Sequence, residues 1–226
     1  PAAQYALAHH GRLVATRSFG TALPESRFCI FSCSKPIFAS LVLRLVAEGL
    51  LGLDAPVVEY WPEFGRAGKR GITVRELLLF TAGIPTRWLD ASTVDDRAMR
   101  VSQMAEWATE FEPGTAYAYH AVSAHWVLAE LVTRVTGQHH GDALALRVLL
   151  PLGLNRMTLG GPPSATDALD VTHVGEFRPE VVTALRGAPV TADELAEADA
   201  PIIAIATNPR LRSTGVPGAG IVSDAA

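Results

Sequence analysis

The sequence predicts a mixed α/β domain, with strands at its beginning and helices through its middle. Three observations predict it. Residues 4–9 and 12–19 alternate apolar and polar side chains around His10-Gly11, the period of two expected of a β-hairpin. The run PIFASLVLRLVAEGLL, residues 36–51, is apolar on nearly every side, which describes a buried helix. Between residues 73 and 150, three further helical runs are separated by turns rich in glycine and proline.

In chain order, residues 28–31 form a short apolar lead into the first helix. Pro36 fits only in a first helical turn, where its missing N–H had no intrahelical partner, so the helix starts within residues 32–35. Residues 53–62 read as loop and short turn. TVRELLLF, residues 73–80, is a second helix, opened by Thr73 as a cap and stopped by TAGIP. Glu112-Pro113-Gly114-Thr115 is a turn, and the helix after it runs from about 122 to 135, where Gly137 ends it. Residues 143–150 followed by Pro151-Leu152-Gly153-Leu154 give one more helix and turn. Residues 160–213 are mixed and carry little signal, and Ser223-Asp224 reads as a helix N-cap.

Composition narrows the function classes. A chain of 226 residues with 49% hydrophobic and 19% charged residues has ample core for one domain or two packed subdomains. Its 19 basic and 23 acidic residues are spread without blocks, so neither nucleic acid nor an anionic membrane surface is an expected partner. The longest apolar run is broken by Arg44 and Glu48, short of the roughly eighteen residues a membrane span needs. A cytoplasmic location is the working expectation, although a chain opening on Pro1 leaves room for a preceding segment. Cys29 and Cys33 are too few for a disulfide framework and are expected as buried free thiols. The seven histidines and two cysteines form no metal-ligand spacing, so neither a metal nor a cofactor is expected.

The chemistry begins with lysine usage. Of 19 Lys and Arg residues only two are lysines, and one closes Ser32-Cys33-Ser34-Lys35 at the mouth of the apolar helix. Arg keeps its proton at every working pH, whereas a buried Lys can give its proton up and act as a base. Residues i and i+3 share a helix face, so Lys35 can reach the Ser32 hydroxyl. The helix N-terminus adds unpaired N–H groups that favour a developing anion. A capping serine with Lys35 reaching outward is the structural alternative. Ser34 is a weaker rival nucleophile, since Ile37 stands three residues after it.

Further segments follow in a fixed order. Glu48-Gly49-Leu50-Leu51-Gly52-Leu53-Asp54-Ala55-Pro56-Val57, then GITVRELLLFTAGIP with Phe80 where histidine is usual, then Pro113-Gly114-Thr115 with Tyr119-His120 and the helix 127–137 resemble the serine β-lactamase and penicillin-binding-protein superfamily. The likeness is nearest its class C-like branch, which includes the family VIII carboxylesterases. It covers residues 4–160, and residues 216–226 look like a later segment of the same family. The resemblance implies an α/β (α+β) fold of the β-lactamase/DD-peptidase kind, an antiparallel sheet flanked by helices plus a mostly helical subdomain. Residues 1–52 and 164–226 would form the α/β part and 53–163 the helical part of one domain. The family's Gly-rich third motif, which supplies half of the oxyanion hole, is not reached, so an incomplete domain is expected.

Carried over by the resemblance, Ser32 is the nucleophile, Lys35 its base, and Tyr119 the tyrosine that relays protons, with Tyr117 a nearby rival. Trp88, after the TAGIP turn, is the candidate wall of an acyl pocket. His120 is a second candidate for substrate binding, with a structural histidine as the alternative. Ala121 stands where β-lactamases carry an asparagine that holds the substrate's amide, which favours a simple ester. The expected function is therefore a cofactor-free serine hydrolase of carboxylic esters with short or medium acyl chains. A β-lactamase, a D-aminopeptidase, an acyltransferase or a non-catalytic penicillin-binding-like sensor are the alternatives on the same fold. Oligomeric state and natural ester are not legible.

Overall fold

The computed structural model describes residues 1–162, 168–169, 180, 189 and 191–225. Most of 164–190, expected in the α/β part, therefore lies outside the described residues. Strand β1 (Ala2–His9) pairs antiparallel with β2 (Arg12–Gly20), and the register shifts once, between Leu7 and Ala8. His10 and Gly11 both have positive φ, 48° and 73°, which suits the mirror-image two-residue turn whose twist matches that of the strands. A second sheet places β5 (Ile221–Ser223) between β3 (Phe28–Cys29) and β4 (Thr158–Leu159), antiparallel to both. Ser223 is thus a strand residue opposite Phe28 rather than the helix cap expected, and the Asp224 carboxylate pairs with Arg156.

Helix α1 covers Ser34–Ala47 and is preceded by a 3-10 turn at Phe31–Cys33. It ends four residues short of the apolar run. Gly49 takes φ 73°, Gly49 N donates to Val46 O at 3.0 Å and Leu50 N to Leu45 O at 2.9 Å, the paired bonds that close a helix at a left-handed glycine. Its buried residues Phe38, Leu41, Val42 and Leu45 form a single stripe at helical spacing. Leu43, on the other side, is 50% exposed, so the helix is amphipathic and not buried all round.

Around α1 stand α2 (Val74–Leu79), α3 (Arg97–Glu106), α4 (Ser123–Thr136) and α5 (His140–Leu144). Thr73 and Glu76 close a reciprocal capping box on α2. No sequence pattern marks α3; Asp96 starts it by accepting from the N–H groups of Ala98 and Met99. α4 is the central helix, buried without interruption from Ser123 to Val132. The expected helix at 143–150 begins earlier, as α5, then widens to a π-turn at Ala145–Leu149 and tightens to a 3-10 turn at Leu150–Leu152 before Gly153. Two more helices, α6 (Ala192–Thr207) and α7 (Pro209–Thr214), lead into β5.

The thiols divide. Cys29 is partly buried and its Sγ lies 3.3 Å from Ala219 O, but Cys33 is exposed, because it sits on the outer side of the 3-10 turn. Buried charge is handled by dense pairing. Glu130 accepts from Arg97 at 2.6 and 3.1 Å and from Arg134 at 2.7 Å. Lys69, fully buried, donates to Arg66 O and Ala105 O at 2.9 Å each and to Trp107 O, above the Phe64 ring. It joins the loop before α2 to the end of α3. Replacing its ammonium leaves the Ala105 and Trp107 carbonyls without that donor, at about 1–3 kcal/mol for each buried group left unpaired, while Arg66 O keeps the Lys69 backbone N–H at 3.1 Å. Lys69→Met is therefore expected to lower unfolding stability by about 2–4 kcal/mol in urea titration, and a loss under about 0.5 kcal/mol would contradict this account.

Candidate active site

Ser32 lies in the 3-10 turn just ahead of α1, where its hydroxyl faces solvent. The residue before it, Phe31, has φ 44°, a left-handed backbone that costs a non-glycine residue about 1–3 kcal/mol. The turn is held in that shape from both sides: Ile30 N donates to Ile221 O at 2.9 Å and Cys33 N to Ile30 O at 3.1 Å. Ser34, the rival hydroxyl, is buried, and its Oγ accepts from Ile221 N at 3.1 Å. That bond occupies it in joining α1 to β5.

Lys35, in the first turn of α1, is only 7% exposed. Its Nζ is 3.1 Å from Ser32 Oγ and donates to Gly218 O at 2.9 Å. The Tyr119 hydroxyl donates to Ser32 Oγ at 2.8 Å, and the same ring passes 4.9 Å from Lys35 Nζ. Two side chains from distant segments, Lys35 and Tyr119, therefore converge on the Ser32 oxygen. Tyr117, two residues earlier in an extended segment, is 69% exposed and points elsewhere.

Tyr119 is positioned by two loops that pair with each other. Ala118 N donates to Phe80 O at 3.1 Å, Gly114 N to Thr81 O at 2.9 Å and Glu110 N to Gly83 O at 2.7 Å. Gly83, at φ 76°, permits this: a Cβ there would stand 2.4 Å from Phe111 O. Phe80, which ends α2 at φ 59°, sets its ring edge-on to Tyr119 at 5.3 Å and stacks on His120 at 5.8 Å.

The two substrate-binding candidates fall differently. His120 is fully buried: its Nε2 accepts from Ile84 N at 3.1 Å, so Nδ1 carries the proton and bonds Ala118 O at 2.6 Å. Both nitrogens are used by backbone, burial pushes its pKa down, and it braces the Tyr119 segment instead of meeting a substrate. Trp88 stands at the rim of an apolar cavity of about 220 Å³ whose walls do not include Ser32, Lys35 or Tyr119.

Residues missed by sequence reasoning complete the site. Gly218 supplies the carbonyl to Lys35 from 183 positions away, a pairing no local pattern reveals. His125 of α4 packs beneath it: a Cβ on Gly218 would lie 3.2 Å from His125 Cβ and Cγ. Neither His125 nitrogen has a hydrogen-bond partner among the described residues. Burial, reinforced by the Lys35 charge, pushes His125 down to about 3. His140, which donates from Nε2 to Gly215 O at 2.8 Å, is pushed down to about 3 by burial and by His139. Among the described residues, no group of three or more His, Cys, Asp or Glu could hold a metal ion. Nor is any helix there long and apolar enough to cross a membrane.

The family model described as Beta-lactamase matches residues 1–226. The chain belongs to the Beta-lactamase family. It is 34% identical over 143 residues to "Esterase/beta-lactamase LipL" of Mycobacterium tuberculosis, an alignment covering 62% of this chain and 33% of that protein. It is 33% identical over 175 residues to "Esterase EstB" of Burkholderia gladioli, covering 66% of this chain and 44% of that one. The chain thus spans less than half the length of these relatives. Among solved structures, a family VIII carboxylesterase superposes with a TM-score of 0.70 at 30% identity, over 88% of this chain and 53% of that one. EstA from Arthrobacter nitroguajacolicus superposes with a TM-score of 0.74 at 28% identity, over 99% of this chain and 60% of that one. The described sheets and helices are accordingly those of a Beta-lactamase family fold.

The two buried histidines make a pH prediction. Each has a folded pKa near 3 against about 6.5 when unfolded, so the unfolded chain binds more protons between those values. The stability they confer is complete above pH 6.5 and falls as pH drops toward 3, by up to about 1.4 kcal/mol per pH unit for each histidine. Urea midpoints taken at pH 7, 6 and 5 should fall in that order, more gently in a His140→Gln variant; equal slopes in the two proteins would contradict the assignment.

Proposed function

We propose that this chain carries the acylation site of a serine hydrolase that acts on carboxylic esters. One observation carries the reading: Ser32 Oγ lies within hydrogen-bond reach of both Lys35 Nζ and Tyr119 OH. Lys35, as neutral amine, takes the Ser32 proton while Oγ forms a bond to the ester carbonyl carbon. The tetrahedral oxyanion collapses, the bond to the alkoxy oxygen breaks, and the proton passes from Lys35 through Tyr119 to the leaving alcohol. Water then attacks the acyl-Ser32 carbonyl by the reverse relay, which releases the acid and returns the proton to Ser32. The Ser32 N–H at the entry to α1 is suited to stabilise the oxyanion.

Ala121 favours the ester over a β-lactam or peptide. Two residues past Tyr119 it offers no side-chain hydrogen bond, so a substrate amide arm would be left unpaired on this side. The relatives fit this preference in part, since their names include an esterase, an esterase/β-lactamase, penicillin-binding proteins and D-aminopeptidases.

Turnover of p-nitrophenyl butyrate should exceed that of nitrocefin. Ser32→Ala should abolish the former, a loss of at least about 10³-fold, and remove the covalent adduct that a fluorophosphonate leaves on the wild type by intact mass. Tyr119→Phe should cost about 10²–10⁴-fold in kcat with a smaller change in KM. Lys35→Arg should lose as much as Ser32→Ala, since charge is kept but the base is not. Retained turnover in Ser32→Ala, or no adduct on the wild type, would end the assignment.

A further inference from the structure

Among the described pockets, the hollow rimmed by Trp88 is the one lined by apolar side chains alone, and nothing in the proposed chemistry uses it. Its walls come from five separate parts of the chain. Trp88 and Val94 belong to the loop before α3, Val122 and Trp126 to the start of α4, Ile205 to α6, Leu211 to α7, and Val216 to the turn before β5. Val94, Val122, Trp126, Ile205, Leu211 and Val216 are buried in the main core, while Trp88 is 38% exposed and marks the mouth. No charged side chain lines it.

Two walls tie this hollow to the Ser32 site. Val122 follows Tyr119 by three residues, so their Cα atoms lie within about 11 Å of each other. Val216 precedes Gly218, whose carbonyl holds Lys35, by two residues, and their Cα atoms lie within about 7 Å. The hollow therefore shares two short segments with the machinery that grips Ser32. Ala121, between Tyr119 and Val122, presents only a methyl group along the way.

We propose that this cavity receives an unbranched aliphatic arm of the ester attacked by Ser32, so that the enzyme selects medium-chain alkyl groups. The inference rests on the hydrolase reading given above. Apolar walls without charged groups give a hydrocarbon a dry site and offer nothing to a polar arm, whose water-bonded groups would be stranded there. A dry cavity of about 150 Å³ accepts the six carbons of benzene, so 220 Å³ accommodates roughly eight carbons. Branched or aromatic arms of the same carbon number would have to pass the Trp88 rim with a wider cross-section. The arm belongs to either the acyl or the alcohol side, and the two are separated by the choice of substrate series.

The test uses p-nitrophenyl esters from acetate to dodecanoate, for the acyl arm, and ethyl to octyl acetates, for the alcohol arm. In the series that uses the cavity, kcat/KM should rise about fourfold per methylene up to roughly eight carbons and then fall. Two variants fill the cavity from different elements, Ala204→Phe on α6 and Ala91→Phe on the loop before α3. Each should cut the octyl-to-short-chain ratio of the responsive series at least tenfold and leave the shortest ester within about twofold of wild type. As a readout that needs no variant, octanoate should quench tryptophan emission and compete with the responsive ester, whereas acetate should do neither. Short-ester turnover with ratios indifferent to both substitutions, or to octanoate should both variants fail to fold, overturns the cavity assignment and leaves the hydrolase reading standing. Absence of turnover on every ester, with no fluorophosphonate adduct, sinks the hydrolase reading and this one with it.

Discussion

The site depends on how the last strand is fastened to the first turn of α1. Ile221 N bonds Ser34 Oγ, Ile221 O accepts from Ile30 N, and Gly218 O accepts from Lys35 Nζ. Ser34 and Lys35 thus use adjacent side chains to grip one segment 187 and 183 residues later, while Ser32, on the turn before them, is left facing out. Without that fastening the left-handed Phe31 would have nothing to oppose its strain, and Lys35 would lose the carbonyl that fixes its direction. The buried hydroxyl of Ser34 carries the structural load, and the exposed one of Ser32 is free for chemistry.

The second half of the site is held by a ring stack in place of a strand. Phe80 ends α2 in a left-handed conformation, which turns its ring back against Tyr119, His120 and His125. His120 then pins the two loops together by accepting from Ile84 and donating to Ala118. An imidazole is well suited to this, because one neutral ring both accepts and donates across a narrow gap. His120 would otherwise look like a substrate ligand, and burial, not position in the motif, decides between the two uses.

What could be read from the sequence was what is encoded over one or two turns of chain. The hairpin period, the Thr73–Glu76 box, the Gly137 stop and the i to i+3 relation of Ser32 to Lys35 are local, and each stands in the structure where the spacing puts it. Tyr119 was reached through family likeness alone, since no spacing links it to Ser32. The end of α1 was misread because leucines beyond Gly49 prolong the apolar pattern while the backbone has already turned. α3 escaped notice because half of its ten residues are polar or charged and its start rests on one aspartate. Gly218, His125 and the strand identity of Ser223 were illegible for one reason: each is defined by a partner far along the chain, and pattern carries no information about such pairings.

The two lysines make the clearest contrast between structure and chemistry. An ammonium has three N–H bonds, and Lys69 spends all of them on main-chain carbonyls that can only accept. Losing a proton there would break a bond that nothing else could remake. Lys35 meets one carbonyl, one hydroxyl and the face of an aromatic ring. The hydroxyl of Ser32 can accept from an ammonium or donate to an amine, so that contact survives in either protonation state. Both lysines are buried and both face aromatic rings, so burial alone does not separate them. The partner's ability to reverse its role does: burial lowers the pKa of the Lys69 ammonium to about 8, yet its three partners can only accept, whereas the Ser32 contact suits the proton exchange proposed for Lys35.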